Sequence, residues 1–134
     1  MYEVTLLPVF GASIVSMVLG FVWYHPKVFG TAWMRMTGFT PSAIEKGKRW
    51  MPLIALGGIL ASMFAAYIMN RFGTALGVYD VKGAIELGFM CWAGFVAPVL
   101  FWNVLWDQKP LTLYLINASY WLIAFVAMAL VLVL

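Results

Sequence analysis

One histidine, one cysteine and five carboxylates are all that the chain offers for acid–base, metal or thiol chemistry, and they are scattered along 134 residues. His25 and Cys91 cannot build a tetrahedral zinc site or a bis-histidine haem within one chain, although His25 from two copies could meet in a dimer. Ser13 and Ser16 lack a nucleophile-elbow motif, and no Gly-Lys-Ser/Thr phosphate loop occurs. A soluble-type enzyme is therefore not expected, and no metal or cofactor is called for. The polar residues that remain candidates fall in two groups. Glu86 is a carboxylate placed about one turn into an apolar stretch, near Asn70-Arg71. Its ordinary role there is an ion pair with Arg71; its functional role would be a proton- or cation-binding carboxylate, since an ionisable group at membrane depth is costly without a purpose. His25, Asn103, Asp107 and Asn117 form the second group. Their positions in the chain imply a shared depth near one end of a bundle. There they could shuttle protons, orient a polar headgroup, or tie a loop to the bundle.

The elements that must carry these residues are apolar helices. A helix needs about 20 apolar residues to cross the roughly 30 Å hydrocarbon core, and only helices or closed barrels satisfy the backbone there. Residues 4–24, 51–72, 84–106 and 111–134 meet that length with unbroken apolar character rather than the alternation of a barrel strand. The expected fold is all-α: a single polytopic four-helix domain with an interfacial amphipathic segment at 26–50. Within that segment Pro26 suits a first helical turn, and Val28, Phe29, Ala32, Trp33 and Met36 recur at helical spacing. Gly38 suits a C-terminal cap and Thr40 an N-cap. Pro52 falls in the first turn of the second span, where its missing N–H costs nothing.

Composition agrees. The chain is 65% hydrophobic and 10% charged, with mean hydropathy +0.97, against about 45–50% apolar and about 25% charged for soluble domains. Lys27, Arg35, Lys46, Lys48, Arg49 and Lys109 lie on one side of the four spans, against Arg71 and Lys82 on the other. That bias places residues 25–50 in the cytoplasm and both termini outside, in a bacterial inner membrane. The pI near 9.2 is then topological charge plus attraction to anionic lipid, with no nucleic-acid partner implied. Small residues mark packing faces: Gly57, Ala61 and Ala65 beside Gly58, Ser62 and Ala66 on the second span, and Ala12, Ser16 and Gly20 on the first. They serve either bundle packing or a homo-oligomer seam. Trp23, Tyr24 and Trp33 read as interface anchors rather than a ligand cage.

The run Gly20-Phe-Val-Trp23-Tyr24-His25-Pro26-Lys-Val-Phe29-Gly30-Thr-Ala-Trp33 resembles the signature of the domain of unknown function 1761 family of small bacterial membrane proteins. A second stretch, from Asp107 and Pro110 through Ile116-Asn117-Ala-Ser-Tyr120, is similar to the acidic residue, turn and Ile-Asn-x-x-Tyr segment of that family. Asp107 stands where the family pattern has Glu, shortening the side chain and keeping the charge. The resemblance implies a multi-pass membrane protein and carries no activity, cofactor or catalytic residue. Three readings follow. The favoured one is a structural or accessory membrane subunit, homo-oligomeric or part of a larger complex. The second is a minimal transporter or channel for a small solute or cation, with Glu86 or the His25/Asp107 cluster as coupling group. The third is a membrane-embedded redox or lipid-handling subunit using haem or quinone, for which the Trp-rich rim is the hint.

Overall fold

The computed structural model describes residues 6–38 and 40–134. The expected start of the first span, Val4, lies outside the described residues. Helix α1 runs Leu6–Trp23, followed by a π-turn at Pro26–Gly30 and the short helices α2 (Thr31–Thr37) and α3 (Pro41–Gly47). A 3-10 turn at Lys48–Trp50 leads into α4 (Met51–Ala75), so that the chain is helical without interruption from α3 to the end of α4. Next come α5 (Val81–Cys91), a π-segment at Trp92–Val96, α6 (Ala97–Leu105) and α7 (Leu111–Val133). No strand occurs among the described residues. Four helical stretches are long and apolar enough to cross a membrane: Leu6–Trp23, Ser42–Ala75, Val81–Leu105 and Leu111–Val133.

The boundaries have local causes. Thr40 caps α3 by accepting from the Ala43 N–H, and Asp80 caps α5 by accepting from the Gly83 N–H at 2.9 Å. Gly38 and Gly77 stop α2 and α4 with φ of 79° and 71°, a left-handed conformation that favours glycine. Past α4, the Val78 N–H reaches the Gly73 carbonyl and the Gly77 N–H the Thr74 carbonyl, the paired bonds of a Schellman stop. The third apolar stretch was expected to be one regular helix. It widens instead at Trp92–Val96, where the Ala97 N–H bonds back five residues to Trp92. Pro98 accounts for this, because its ring would collide with the carbonyl four residues earlier in a regular helix.

The helices run up, down, up, down, with α7 packed against α1 on one side and α5 on the other, and α4 packed mainly on α1. The centre is lined by small side chains: Ala12, Ser13 and Ser16 on α1, Ser62 and Ala66 on α4, Ala84 and Gly88 on α5, Ala124 and Ala129 on α7. Large apolar residues point outward instead, among them Leu7 at 79% exposure and Phe64 at 69%. Larger buried residues such as Val9, Met69 and Met128 fill the spaces between the small ones, and the many exposed large apolar side chains suit a surface bathed in hydrocarbon. Only half of the expected small-residue face on the second span is used. Gly58, Ser62 and Ala66 face the bundle, with Gly58 against Met17, whereas Gly57 and Ala61 are exposed and no atom stands within 4 Å of a side chain added at Gly57.

Candidate functional site

The residues on which the family resemblance rests converge at one end of the bundle. Trp23 closes α1 and donates its indole N–H to the Ile116 carbonyl at 3.0 Å. Tyr24, the next residue, donates its hydroxyl to Asn117 Oδ1 at 2.6 Å. The chain then turns at Pro26, which starts the π-turn, and Phe29 returns against Trp23 with ring centroids 4.8 Å apart. Gly30 follows, and it is the one residue type that fits: a Cβ there would run into the Tyr24 carbonyl and the His25 backbone. One turn on, Trp33 meets the edge of Tyr24 at 6.0 Å. Tyr24 also rests on Tyr120 at 5.4 Å, and Tyr120 donates to the Ser16 carbonyl at 2.8 Å. The two stretches of resemblance, about 90 residues apart, thus form one aromatic clamp that fastens the Pro26–Thr37 segment onto α1 and α7. Expected as surface anchors, Trp23, Tyr24 and Trp33 are half-buried. Trp23 and Tyr24 turn inward because their polar tips find partners on α7.

The four-residue polar cluster does not assemble. His25 is exposed, and its Nδ1 accepts the Lys27 N–H at 3.1 Å, capping the π-turn. Asn117 belongs to Tyr24. Asn103 is exposed on α6, and its backbone carbonyl accepts the Lys109 N–H, closing the turn that holds the exposed Asp107. Among the described residues no hydrogen bond or ion pair joins His25, Asn103, Asp107 and Asn117 to one another. Equal depth did not mean equal side, since α7 packs against α1 on one flank and α5–α6 on the other.

The Arg71–Glu86 ion pair is also not formed. Arg71 NH1 points to Tyr67 Oη at 3.5 Å, one turn back on its own helix, and the ion pair among the described residues is Lys48–Glu45 at 3.0 Å. Arg71 lies two residues from both Met69 and Gly73, which face inward, so it is about 200° around α4 and points away from the bundle. Glu86 instead lines a cavity of about 410 Å³ between α4 and α5, with Phe72, Leu76, Met90 and Phe95. Among the described residues no three of His, Cys, Asp and Glu gather into a cation-binding group.

A comparison with known families decides the relationship. Residues 7–133 match the family described as Protein of unknown function (DUF1761). The chain belongs to the DUF1761 family. No curated protein and no solved structure matches it.

In this DUF1761 chain, sequence reasoning missed a second set of polar residues, in the bundle centre. Ser13 donates to the Ile59 carbonyl at 2.8 Å, Ser16 lies 3.3 Å from Ser62, and Tyr120 Oη reaches Ser16. Trp92 donates to the Ala118 carbonyl at 2.8 Å, and Tyr114 to the Ala97 carbonyl at 3.2 Å. Both carbonyl acceptors lie within helices, so no motif in the sequence marks them. The serines could have been found, because Ser13, Ser16 and Ser62 share helix faces with Ala12 and Ala66, the small residues expected to pack.

Proposed function

We propose that this chain is a structural or accessory subunit of a bacterial inner membrane, acting as a homo-oligomer or within a larger complex. Segment 26–50 and the turn at Asp107 are taken as cytoplasmic, with both termini outside. The observation that carries this reading is the character of the interior. Every Lys, Arg, His, Asp and Glu among the described residues is exposed. The buried polar residues, Ser13, Ser16 and Ser62, are all engaged with groups on neighbouring helices. A proton or ion path through the bundle would need ionisable groups or unpaired polar atoms along it. The exposed Gly57 of α4, with open space around it, leaves a place on which another helix can seat closely.

Transport is the second reading, favoured by Glu86 lining the α4–α5 groove. Two measurements separate them. With Cys91 replaced by serine, Gly57→Cys should cross-link in native membranes to one discrete species, a homodimer or a fixed heteromer. Purified protein in liposomes should carry no flux; a solute or cation flux lost on Glu86→Gln overturns the accessory reading. Labelling of Lys48→Cys but not Lys82→Cys from the cytoplasmic side tests the orientation.

A further inference from the structure

The packing leaves a groove open between α4 and the Val81–Leu105 stretch. Three adjoining cavities, of about 410, 230 and 630 Å³, all share Phe95 in their walls. They run from Glu86 near the start of α5, past Phe72 and Cys91, to Ser62 and Tyr120 at mid-bundle. The two larger ones, of about 410 and 630 Å³, each fall within the range of about 300–1,000 Å³ usual for small-molecule sites. Two backbone features keep the groove open. The π-segment widens the helix where Phe95 and Val96 line it, and Gly94 leaves open space, with no atom within 4 Å of an added Cβ.

Among the residues that line the three cavities Glu86, in the wall of the 410 Å³ one, is the sole carboxylate, and no Lys, Arg or His joins it. Its carboxylate has no cationic partner within 4.0 Å among the described residues: Arg71 turns outward, and Lys82, one helical turn earlier, does not reach it. A carboxylate edged by apolar walls gains most from a cation that is itself weakly hydrated. Beside it, the rings of Phe72 and Phe95, with centroids 6.4 Å apart, can offer their faces to such a charge. The remaining walls, Leu87, Met90, Val99 and Phe125 among them, demand an apolar body attached to it.

We propose that the α4–α5 groove binds a monovalent organic cation with a bulky apolar body, its charge held at Glu86 and its body seated past Phe95. This goes beyond the accessory reading and does not depend on it, because a bound ligand requires neither flux nor a partner. The test is calorimetric titration of the protein in zwitterionic-lipid nanodiscs with tetraphenylphosphonium, corrected for empty nanodiscs, beside the neutral triphenylphosphine oxide. Saturable binding of the cation is expected, at least about tenfold tighter than the neutral compound. Glu86→Gln should remove that preference. Gly94→Phe, which fills the groove without touching the carboxylate, should weaken the cation by a similar factor while leaving the melting temperature near wild type. Absence of saturable binding, equal affinity for the neutral compound, or unaltered binding to Gly94→Phe each overturns the proposal. The comparison of the two compounds on wild-type protein stands even if Glu86→Gln fails to fold.

Discussion

The α5–α7 seam and the α4–α5 seam share a helix and little else. Across the first, backbone meets backbone: a Cβ added at Gly88 would stand 2.8 Å from the Val126 Cα and 2.9 Å from the Phe125 carbonyl. Gly88 is buried there, and the Trp92 indole ties the helices together through Ala118. Across the second, α4 and α5 touch sparingly, and Phe72, Phe95 and Phe125 stand around empty space. In hydrocarbon there is no hydrophobic force to close such a gap, so helices come together only where shape and hydrogen bonds reward it. The first seam has both rewards; the second has one close approach, Leu87 of α5 against Gly73 of α4, near its end. A single helix therefore serves as a fixed wall on one face and a movable or fillable wall on the other.

The strongest way to break this contrast is Gly88→Leu. Its side chain must enter the α7 backbone, which cannot yield as a flexible side chain would, and a loss upwards of about 3 kcal/mol is expected. Aggregation on size-exclusion chromatography and loss of the thermal transition in detergent would show it. Gly30→Ala comes next. Collision with the Tyr24 carbonyl should release the Pro26–Thr37 segment at a cost of about 1–3 kcal/mol, read as faster proteolysis within residues 26–50 while the four long helices persist by circular dichroism. If the segment stays protected, the clamp is not what holds it.

Smaller effects test the hydrogen bonds. Tyr24→Phe and Asn117→Ala should each cost about 1 kcal/mol, and the double variant no more than either alone, because both remove the same bond. Additive losses in a detergent-unfolding titration would mean that the 2.6 Å contact contributes nothing. Least of all, Gly57→Leu should shift stability by no more than about 0.5 kcal/mol. It points away from the bundle, so a change confined to the assembly state would identify the outer face of α4 as a contact between subunits.

These expectations also mark what the sequence made legible. Helix number, the Gly38 and Thr40 caps and the Pro52 start follow from local chemistry, since each depends on neighbours a few residues away. Family membership was readable from the spacing of Trp23, Tyr24, Pro26, Phe29, Gly30 and Trp33, though not the reason for it. That reason is a contact with Ile116, Asn117 and Tyr120 on a distant helix. Rotation about the helix axis was the information lacking. Glu86 and Arg71 were grouped by depth alone, as were His25 and Asp107, and depth says nothing of which way each side chain points. Gly57 and Gly58 were read as one stripe, yet a single residue turns the helix by about 100°, enough to put one outside and the other against Met17. The π-segment before Pro98 was foreseeable only as a disturbance, because a proline in a helix can be relieved by a kink or by a widened turn.

The unbroken helical run from Ser42 to Ala75 has 34 residues, roughly 51 Å at the helical rise. A hydrocarbon layer of roughly 30 Å accommodates little more than half of it. A run of that length laid across such a layer carries Lys46, Lys48 and Arg49 beyond the acyl chains, at the opposite end from Phe72 and Leu76, which wall the Glu86 groove. The basic stretch and the groove wall are thus the two ends of one continuous helix.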